Sequence, residues 1–414
     1  MKTGLIYTLA LCVLGLGRNV ASAADIYVDS NVTSGTNDGT TWSTAYSNLV
    51  DAVADANSNG ANDNIRIRRG NYCSHSPLSI TEPCVLIGEA GTTIGAPFRA
   101  PVLFDVESTQ VHFRDIVFES GNCFVNGNES ELRFHDCRFR NSSMHAVYAR
   151  DCPVVEVHDC LFKGNRGGLF TIFSGRVEVL DSQFLGNQCG AQGGAVFVDD
   201  CETLMIARSL FHSNTAVEQG GAIFINRVYP GHKRSANLVN CVIRNNRALC
   251  GGGIYCLNCQ LRVSSCTIIN NHASWDTGGI AALRYGEVAV ENTILWGNRD
   301  DTSNSLMFQQ FSTLPSRLVH CCIEDPSGFT SAWGRGVINR NPRLRLDSQL
   351  EVGSPCIDAG DLLYYPDALL GEDLFSRHNP GQDIAGNDRL VGPEIDMGAF
   401  EQSLFDFGPL DSPW

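Results

Sequence analysis

Cationic residues are scarce in this chain. Lys and Arg number 30 against 45 Asp and Glu, a formal net charge of −15 at pH 7. So anionic a protein is a poor match for nucleic acid or an anionic lipid surface, and both are set aside as partners. Solubility outside the cell is the plainer use of the charge. Long apolar runs are missing too. Past the first residues nothing approaches 18 uninterrupted apolar positions, so no transmembrane segment is expected. Charged residues of either sign make up only 18% of the chain, whereas glycine alone contributes 41 residues. That balance suits a fold whose many turns are polar but mostly neutral. No complete catalytic motif stands out.

What the chain has instead is a repeat. Between Phe184 and Cys256 it reads FLGNQCGAQGGAVFVDDC, FHSNTAVEQGGAIFIN and IRNNRALCGGGIYC. Each time an apolar residue is followed three places on by Asn, then by a polar link, a Gly pair and an apolar run. Units are headed by Cys137, Cys160, Ser182, Ser209, Cys241, Cys266, Thr293 and Cys321, at intervals of 22–32 residues, and Ile116 heads a degenerate earlier one. Two places after each head sits Phe139, Phe162, Phe184, Phe211, Ile243, Ile268, Leu295 or Ile323. Three places before it the row is again apolar throughout, from Phe134 to Leu318. Alternations such as Val155-Glu156-Val157 read as strands with one face inward. One such unit cannot bury its own apolar side, so like units must stack. Variable coil length with constant corners predicts an all-β fold, a right-handed parallel β-helix. The leucine-rich consensus is absent, and a propeller blade needs about 40 residues.

The corners carry their own signals. Asn165, Asn187, Asn214, Asn246, Asn271 and Asn298 fall five places after the heads. Asn tolerates a left-handed bend, and its amide both donates and accepts, so stacked amides would bond from coil to coil. Gly193-Gly194, Gly220-Gly221, Gly251-Gly252 and Gly278-Gly279 mark a second corner where a Cβ has no room.

Residues 1–23 read as an export leader, with Lys2 at its start, an apolar stretch over Leu5–Gly17 and the small-residue site Ala21-Ser22-Ala23. Removing it takes Lys2 and Arg18, leaving 28 basic residues against 45 acidic and a charge near −17. Cys12 leaves with it, so 16 of 17 cysteines remain, an even number in an exported chain. Several fall in rows: Cys137 with Cys160, Cys241 with Cys266, and Cys152, Cys201 and Cys259 at another corner. Side-by-side parallel Cβ vectors suit a disulfide poorly, and buried thiols pack well, so bridged and free states both stand. Cys73 with Cys84 is the first candidate pair.

At the start of the mature chain, Asp25–Asp29 reads as a strand. Trp42, Ala45, Tyr46, Leu49, Val53 and Ala56 then recur at helical spacing, with Ser43 or Ser47 to cap, and Ile65-Arg66-Ile67 opens the next strand. Such a helix would cover the apolar end of the solenoid. The expected divisions are a leader at 1–23, a cap and first coils at 24–100, repeats over 101–330, a closing segment at 331–402 and a tail at 403–414.

The F-x-x-N plus G-G-A-[IV] pairing over roughly 110–325 resembles the repeats of polymorphic outer-membrane proteins and of secreted bacterial β-helix repeat proteins. The order strand, DGTTWSTAY, helix, I-x-I-x-x-G-x-Y is similar to the N-terminal cap of the latter. Gly353–Asp361, Asp383–Arg389 and Glu394–Glu401 resemble the closing segment of the family named for its choice of C-terminal anchor. Residues 402–414 depart from that family in having no anchor helix or sorting tail. The resemblance implies a pectin lyase-like fold at a cell surface, outside the cell or in the periplasm.

Candidate sites are few. Asp199-Asp200 is a carboxylate pair at a strand exit, with Arg227 one coil on and His232 and Lys233 in the inserted loop after it. Such a set could serve a polysaccharide lyase or a glycoside hydrolase, although Asp-Asp at a corner is ordinary turn chemistry. Tyr148, Phe170, Phe197, Phe224 and Tyr255 form a row of aromatics. If Val196, Ile223 and Ile254 point inward, these rings face out as a platform for sugar or protein; with reversed parity they fill the core. Cys256 and Cys259 form a C-x-x-C without the second pair a zinc ribbon needs, and no metal site is assigned. Asp300-Asp301 and Asp358 with Asp361 lack a full Ca²⁺ ligand set, so Ca²⁺ is at most a weak expectation and no cofactor is assigned. The expectation is an exported, non-catalytic monomer for adhesion, or for binding a polysaccharide or a cell-surface glycan or protein. A carbohydrate-active enzyme is the alternative.

Overall fold

The computed structural model of the protein describes residues 22–33, 35–96, 102–228, 235–284, 286–302, 309–313, 315–325, 334–364 and 381–402. Residues 1–21, most of the expected leader, and residues 403–414 lie outside that set. Every strand pairing within the sheets is parallel, and the strands stack into four sheets along a solenoid, three of them over most of its length. Sheet 1 has twelve strands, from Asp25–Val28 to Arg317–Val319; sheet 2 has eleven, from Asn71–Cys73 to Cys322–Ile323. Sheet 3 has nine, from Leu78–Ile80 to Ile280–Leu283. Sheet 4 has five short strands between sheets 2 and 3, from Gln188–Cys189 to Arg299–Asp300.

Stacking in register turns each predicted row into a continuous file. The rings of Phe118, Phe139, Phe162, Phe184 and Phe211 lie face to face with centroids 4.4–5.0 Å apart, and Ile243, Ile268, Leu295 and Ile323 continue the line. All are fully or nearly fully buried. The head positions form a polar file beside it. Cys160 N donates to Ser182 Oγ at 3.1 Å, Ser182 N to Ser209 Oγ at 3.1 Å, and Cys266 N to Thr293 Oγ1 at 3.1 Å.

The asparagine corner is a ladder. Nδ2 of each residue from Asn165 to Asn271 donates to Oδ1 of the next at 2.9–3.0 Å. The same Nδ2 also reaches a backbone carbonyl of the preceding coil, such as Phe184 O from Asn214. The left-handed bend belongs to the residue before each ladder asparagine, for example Gly186 (φ 61°), Ser213 (φ 56°) and Asn245 (φ 55°). The bend and the amide therefore occupy neighbouring positions. At the glycine corner Gly193 and Gly220 have φ of 64° and 66°, and a Cβ on Gly193 would lie 2.5 Å from Val196 O. One coil after Gly251, Thr277 takes the left-handed place (φ 52°), so Gly278-Gly279 sits one position later than expected.

The expected helix over Trp42–Ala56 is split. Trp42–Thr44 is a single 3-10 turn and only Leu49–Ala56 is α-helical. Its cap is Asn48, not Ser43 or Ser47: Asn48 Oδ1 accepts from Asp51 N at 3.0 Å. The physical reason is that Tyr46 is drawn into the edge of sheet 1, its N donating to Tyr27 O at 2.8 Å and its O accepting from Asp29 N at 2.9 Å. Leu49, Ala52, Val53 and Ala56 then bury themselves on the solenoid end.

The closing segment is a strap that runs back over the outside of sheet 2. Leu350, Cys356 and Met397 pack on Ile269, Ile294 and Cys322, and Ile384, Ala399 and Phe400 on Leu185, Leu210 and Val242. Within it Arg389 is fully buried, its guanidinium beside Glu401. Burial pushes the Glu401 carboxyl from 4.5 up to about 7; Arg389 opposes the rise and Asp396 adds to it. The folded strap therefore keeps a proton that the unfolded chain releases, and its stability is full below about pH 4.5 and falls as pH rises to 7. Hydrogen exchange in residues 381–402 should lose protection across that window, by roughly 2 kcal/mol. Glu401→Gln should flatten the profile; an unchanged slope in the variant would assign it elsewhere.

Candidate functional site

The corner that carries Asp199 and Asp200 closes each coil between sheet 3 and sheet 1. Asp200 and Arg227 hold the left-handed place there, with φ of 57° and 54°. Asp199 Oδ1 accepts from Asn226 Nδ2 at 2.8 Å, and Oδ2 accepts from Arg227 at 2.6 Å. The same guanidinium lies 3.9 Å from Asp200. Asp199, Asp200 and Arg227, offered from the sequence as a catalytic set, thus lie together as an ion cluster between coils. Both carboxylates face the same arginine, which ties the exit of one coil to the next. His232 and Lys233 lie outside the described residues.

The aromatic row has a position that neither alternative foresaw. Val196, Ile223 and Ile254 do point into the main core, so the rings face away from it. Yet Phe197, Phe224 and Tyr255 are 3–8% exposed, forming a second apolar cluster with Phe170 and Cys250. The links from sheet 4 lie over them, and Gln219 donates to the Tyr255 hydroxyl at 3.3 Å. From Tyr148 through Phe170, Phe197 and Phe224 to Tyr255 the rings stack within 11° of parallel, centroids 4.1–5.6 Å apart. Within the row the facing surfaces of neighbouring rings are spent on one another, so a sugar cannot stack between them.

The cysteine expectations fare differently. Cys73 and Cys84 are both free thiols on different sheets, Cys73 exposed and Cys84 buried, so the favoured bridge is absent. Instead Cys256 and Cys259 are joined, which removes the thiolates a zinc ion would need. Asp300 accepts from Thr302 N at 2.9 Å, and Asp301 meets His272 at 2.9 Å. Among the described residues no group of three or more His, Cys, Asp and Glu side chains is placed to hold a metal ion.

Sequence reasoning missed the corner between sheets 1 and 2. Asp115, Asp136, Asp159 and Asp181 stand there in successive coils, all left-handed with φ of 49–56°. Each N–H donates to a carbonyl of the next coil, so the carboxylates repeat at about the 4.8 Å strand spacing. They line an open groove of about 590 Å³ together with Val117, Arg138, Leu161 and Gln183 on sheet 2. On the sheet 1 side run His112, His135 and His158, their ring centroids 5.1–5.8 Å apart. His135 Nδ1 is 3.8 Å from Asp136 and 3.9 Å from Asp159. Burial, then Asp181 and Asp136, raise the Asp159 pKa. Arg208 ends the acidic file by gripping Asp181 at 2.6 and 2.7 Å. The signal was present in the sequence one place before the heads, where Asp precedes Ile116, Cys137, Cys160 and Ser182.

Beyond Arg208 the same corner holds Asn240, Ser265, Asn292 and His320, and there the strap lies on it. Asn240 Nδ2 donates to Gln382 O at 3.0 Å, Asn292 Oδ1 accepts from Asp361 N at 2.9 Å, and His320 Nδ1 meets Ala359 O at 3.0 Å. The corner trench is thus one feature in two halves. The neutral half is filled by the protein's own chain, and the acidic half is open.

Parallel sheets, stacked files and left-handed corners define a right-handed parallel β-helix repeat protein. A family profile described as "Right handed beta helix region" matches residues 104–260. Among solved structures the chain is similar to the pectin methylesterase of Aspergillus niger in its deglycosylated form, at 13% identity and a TM-score of 0.33, covering 76% of this chain and 97% of that one. The same enzyme carrying an N-acetylglucosamine stub matches at 13% identity and 0.35, covering 77% and 98%. These likenesses carry no argument about chemistry. No curated protein matches in sequence. Among the described residues no helix is long and apolar enough to cross a membrane.

Proposed function

We propose that the protein is an exported, non-catalytic binding protein of the cell surface or extracellular space, and that its open groove takes an elongated glycan. The observation behind this reading is the groove of about 590 Å³ running across four coils with the same side chain at each step. Repeated identical stations suit a chain of repeated units better than a compact ligand. Carboxylates accept hydrogen bonds from sugar hydroxyls and pair with ammonium groups, but repel uronates and sulfates. Neutral and amino-sugar chains are therefore the expected class, and the acidic polysaccharides of a uronate lyase are disfavoured.

The raised pKa of Asp159 beside Asp136 supports a second reading, hydrolysis with Asp159 as the acid. Titration calorimetry of the whole protein against an amino-sugar polymer, a neutral glucan and a polyuronate tests both. Binding should follow that order, and Asp136→Asn with Asp159→Asn should weaken the amino-sugar complex by about tenfold or more, 1.4 kcal/mol. Preference for the polyuronate, or no binding at all, sinks the groove assignment. Release of new reducing ends, lost in Asp159→Asn, would decide for hydrolysis.

A further inference from the structure

The last coil ends with two adjacent cysteines that face opposite ways. Cys321 points into the main core, its thiol donating to Val319 O at 3.2 Å. Cys322 points outward into the seam under the strap, donating to Arg340 O at 3.1 Å. Cys356 approaches the same seam from the strap, fully buried. It is fixed there by Cys356 N donating to Ser354 Oγ at 3.2 Å and by Met397 N donating to Cys356 O at 3.0 Å. Both Cys322 and Cys356 are free thiols in this structure and lie in one buried cluster, packed with Met397 and Leu350.

This pair differs from the other cysteine contacts. Cys137 with Cys160, and Cys241 with Cys266, are equivalent positions on successive coils, whose parallel side chains resist the near-perpendicular torsion of a disulfide. Cys322 and Cys356 come from unrelated segments and carry no such constraint. We propose that Cys322 and Cys356 are a cross-linking site, joined as a disulfide that ties the strap to the last coil. Each thiol gives up its proton, the sulfurs form one S–S bond, and the two electrons reduce a disulfide-class oxidant to two thiols. Because both sulfurs are buried, the exchange takes place while the strap is still open, and the bond then closes a loop whose ends are 34 positions apart.

The experiment is peptide mapping of the whole protein, refolded in a glutathione redox buffer and alkylated in denaturant. The Cys256–Cys259 link is the internal control for oxidation. The expected result is a peptide joining Cys322 to Cys356, absent in Cys356→Ser. Adding reductant to the unmutated protein should also speed proteolysis within residues 334–402 by about tenfold or more. Recovery of Cys322 and Cys356 as separately alkylated residues while Cys256–Cys259 is oxidised overturns the proposal, as does either residue joined to a different cysteine.

Discussion

Asn214→Ala should cost the protein about 4 kcal/mol, more than almost any other truncation of comparable size. Asn214 is fully buried, and its amide is used on both sides. Oδ1 accepts from Asn187 N at 3.0 Å and from Asn187 Nδ2 at 2.9 Å. Nδ2 donates to Phe184 O at 2.9 Å and to Asn246 Oδ1 at 3.0 Å. Alanine leaves two donors and one carbonyl buried without their partner, each costing about 1–3 kcal/mol, and the cavity is too enclosed for bulk water to replace them all. A solenoid transmits stability through neighbouring coils, so the loss should centre on the coils of Asn187, Asn214 and Asn246. Chemical denaturation with residue-resolved hydrogen exchange reads both the size and the place. Asn237→Ala, on the outer surface of sheet 1, is the control and should stay within about 0.5 kcal/mol. Equal costs for the two would mean that the ladder adds nothing beyond ordinary packing.

That ladder was readable because it repeats in one chemical type. Stacking makes every coil solve the same steric problem at the same place, so the Phe file, the head file and the asparagines all surface as rows in the sequence. Features set by contacts between non-equivalent parts were not readable. Tyr46 leaves its helical pattern because an edge of sheet 1 takes it, and nothing local to Trp42–Ala56 encodes that edge. Parity along Val196-Phe197-Val198 was ambiguous because both faces are apolar, and the second face is buried only by links that exist where sheet 4 exists. The acidic file was visible but unremarkable as sequence. Asp tolerates a left-handed bend, so each Asp looked like turn chemistry by itself. Arg208, Asn240 and Ser265 adopt the same bend with other side chains, and this contrast makes four consecutive aspartates a property of the groove. The strap has no period at all, so its path over sheet 2 could come only from the folded chain.

Arg389→Met should detach the strap and leave the solenoid standing. Arg389 is 1% exposed, and its Nη2 donates to Asp396 O at 2.7 Å and Gly398 O at 2.6 Å. Its Nη1 lies 3.9 Å from Glu401, whose carboxyl also accepts from Asp396 N at 3.0 Å. Methionine fills a similar volume but strands two carbonyls and an acid that has lost its cation, a change of about 3–5 kcal/mol. The strap's apolar contacts with Leu210 and Val242 are too few to absorb that loss. Limited proteolysis should then cut within 381–402 while the far-ultraviolet signature of the sheets persists. The double variant Arg389→Met with Glu401→Gln separates the charge from the carbonyls, since a neutral side chain at 401 no longer needs the guanidinium. It should recover part of the loss at pH 7 and little at pH 4.5, where Glu401 is already protonated in the folded strap. Equal recovery at both pH values would show that the stranded carbonyls, and not the buried acid, set the cost.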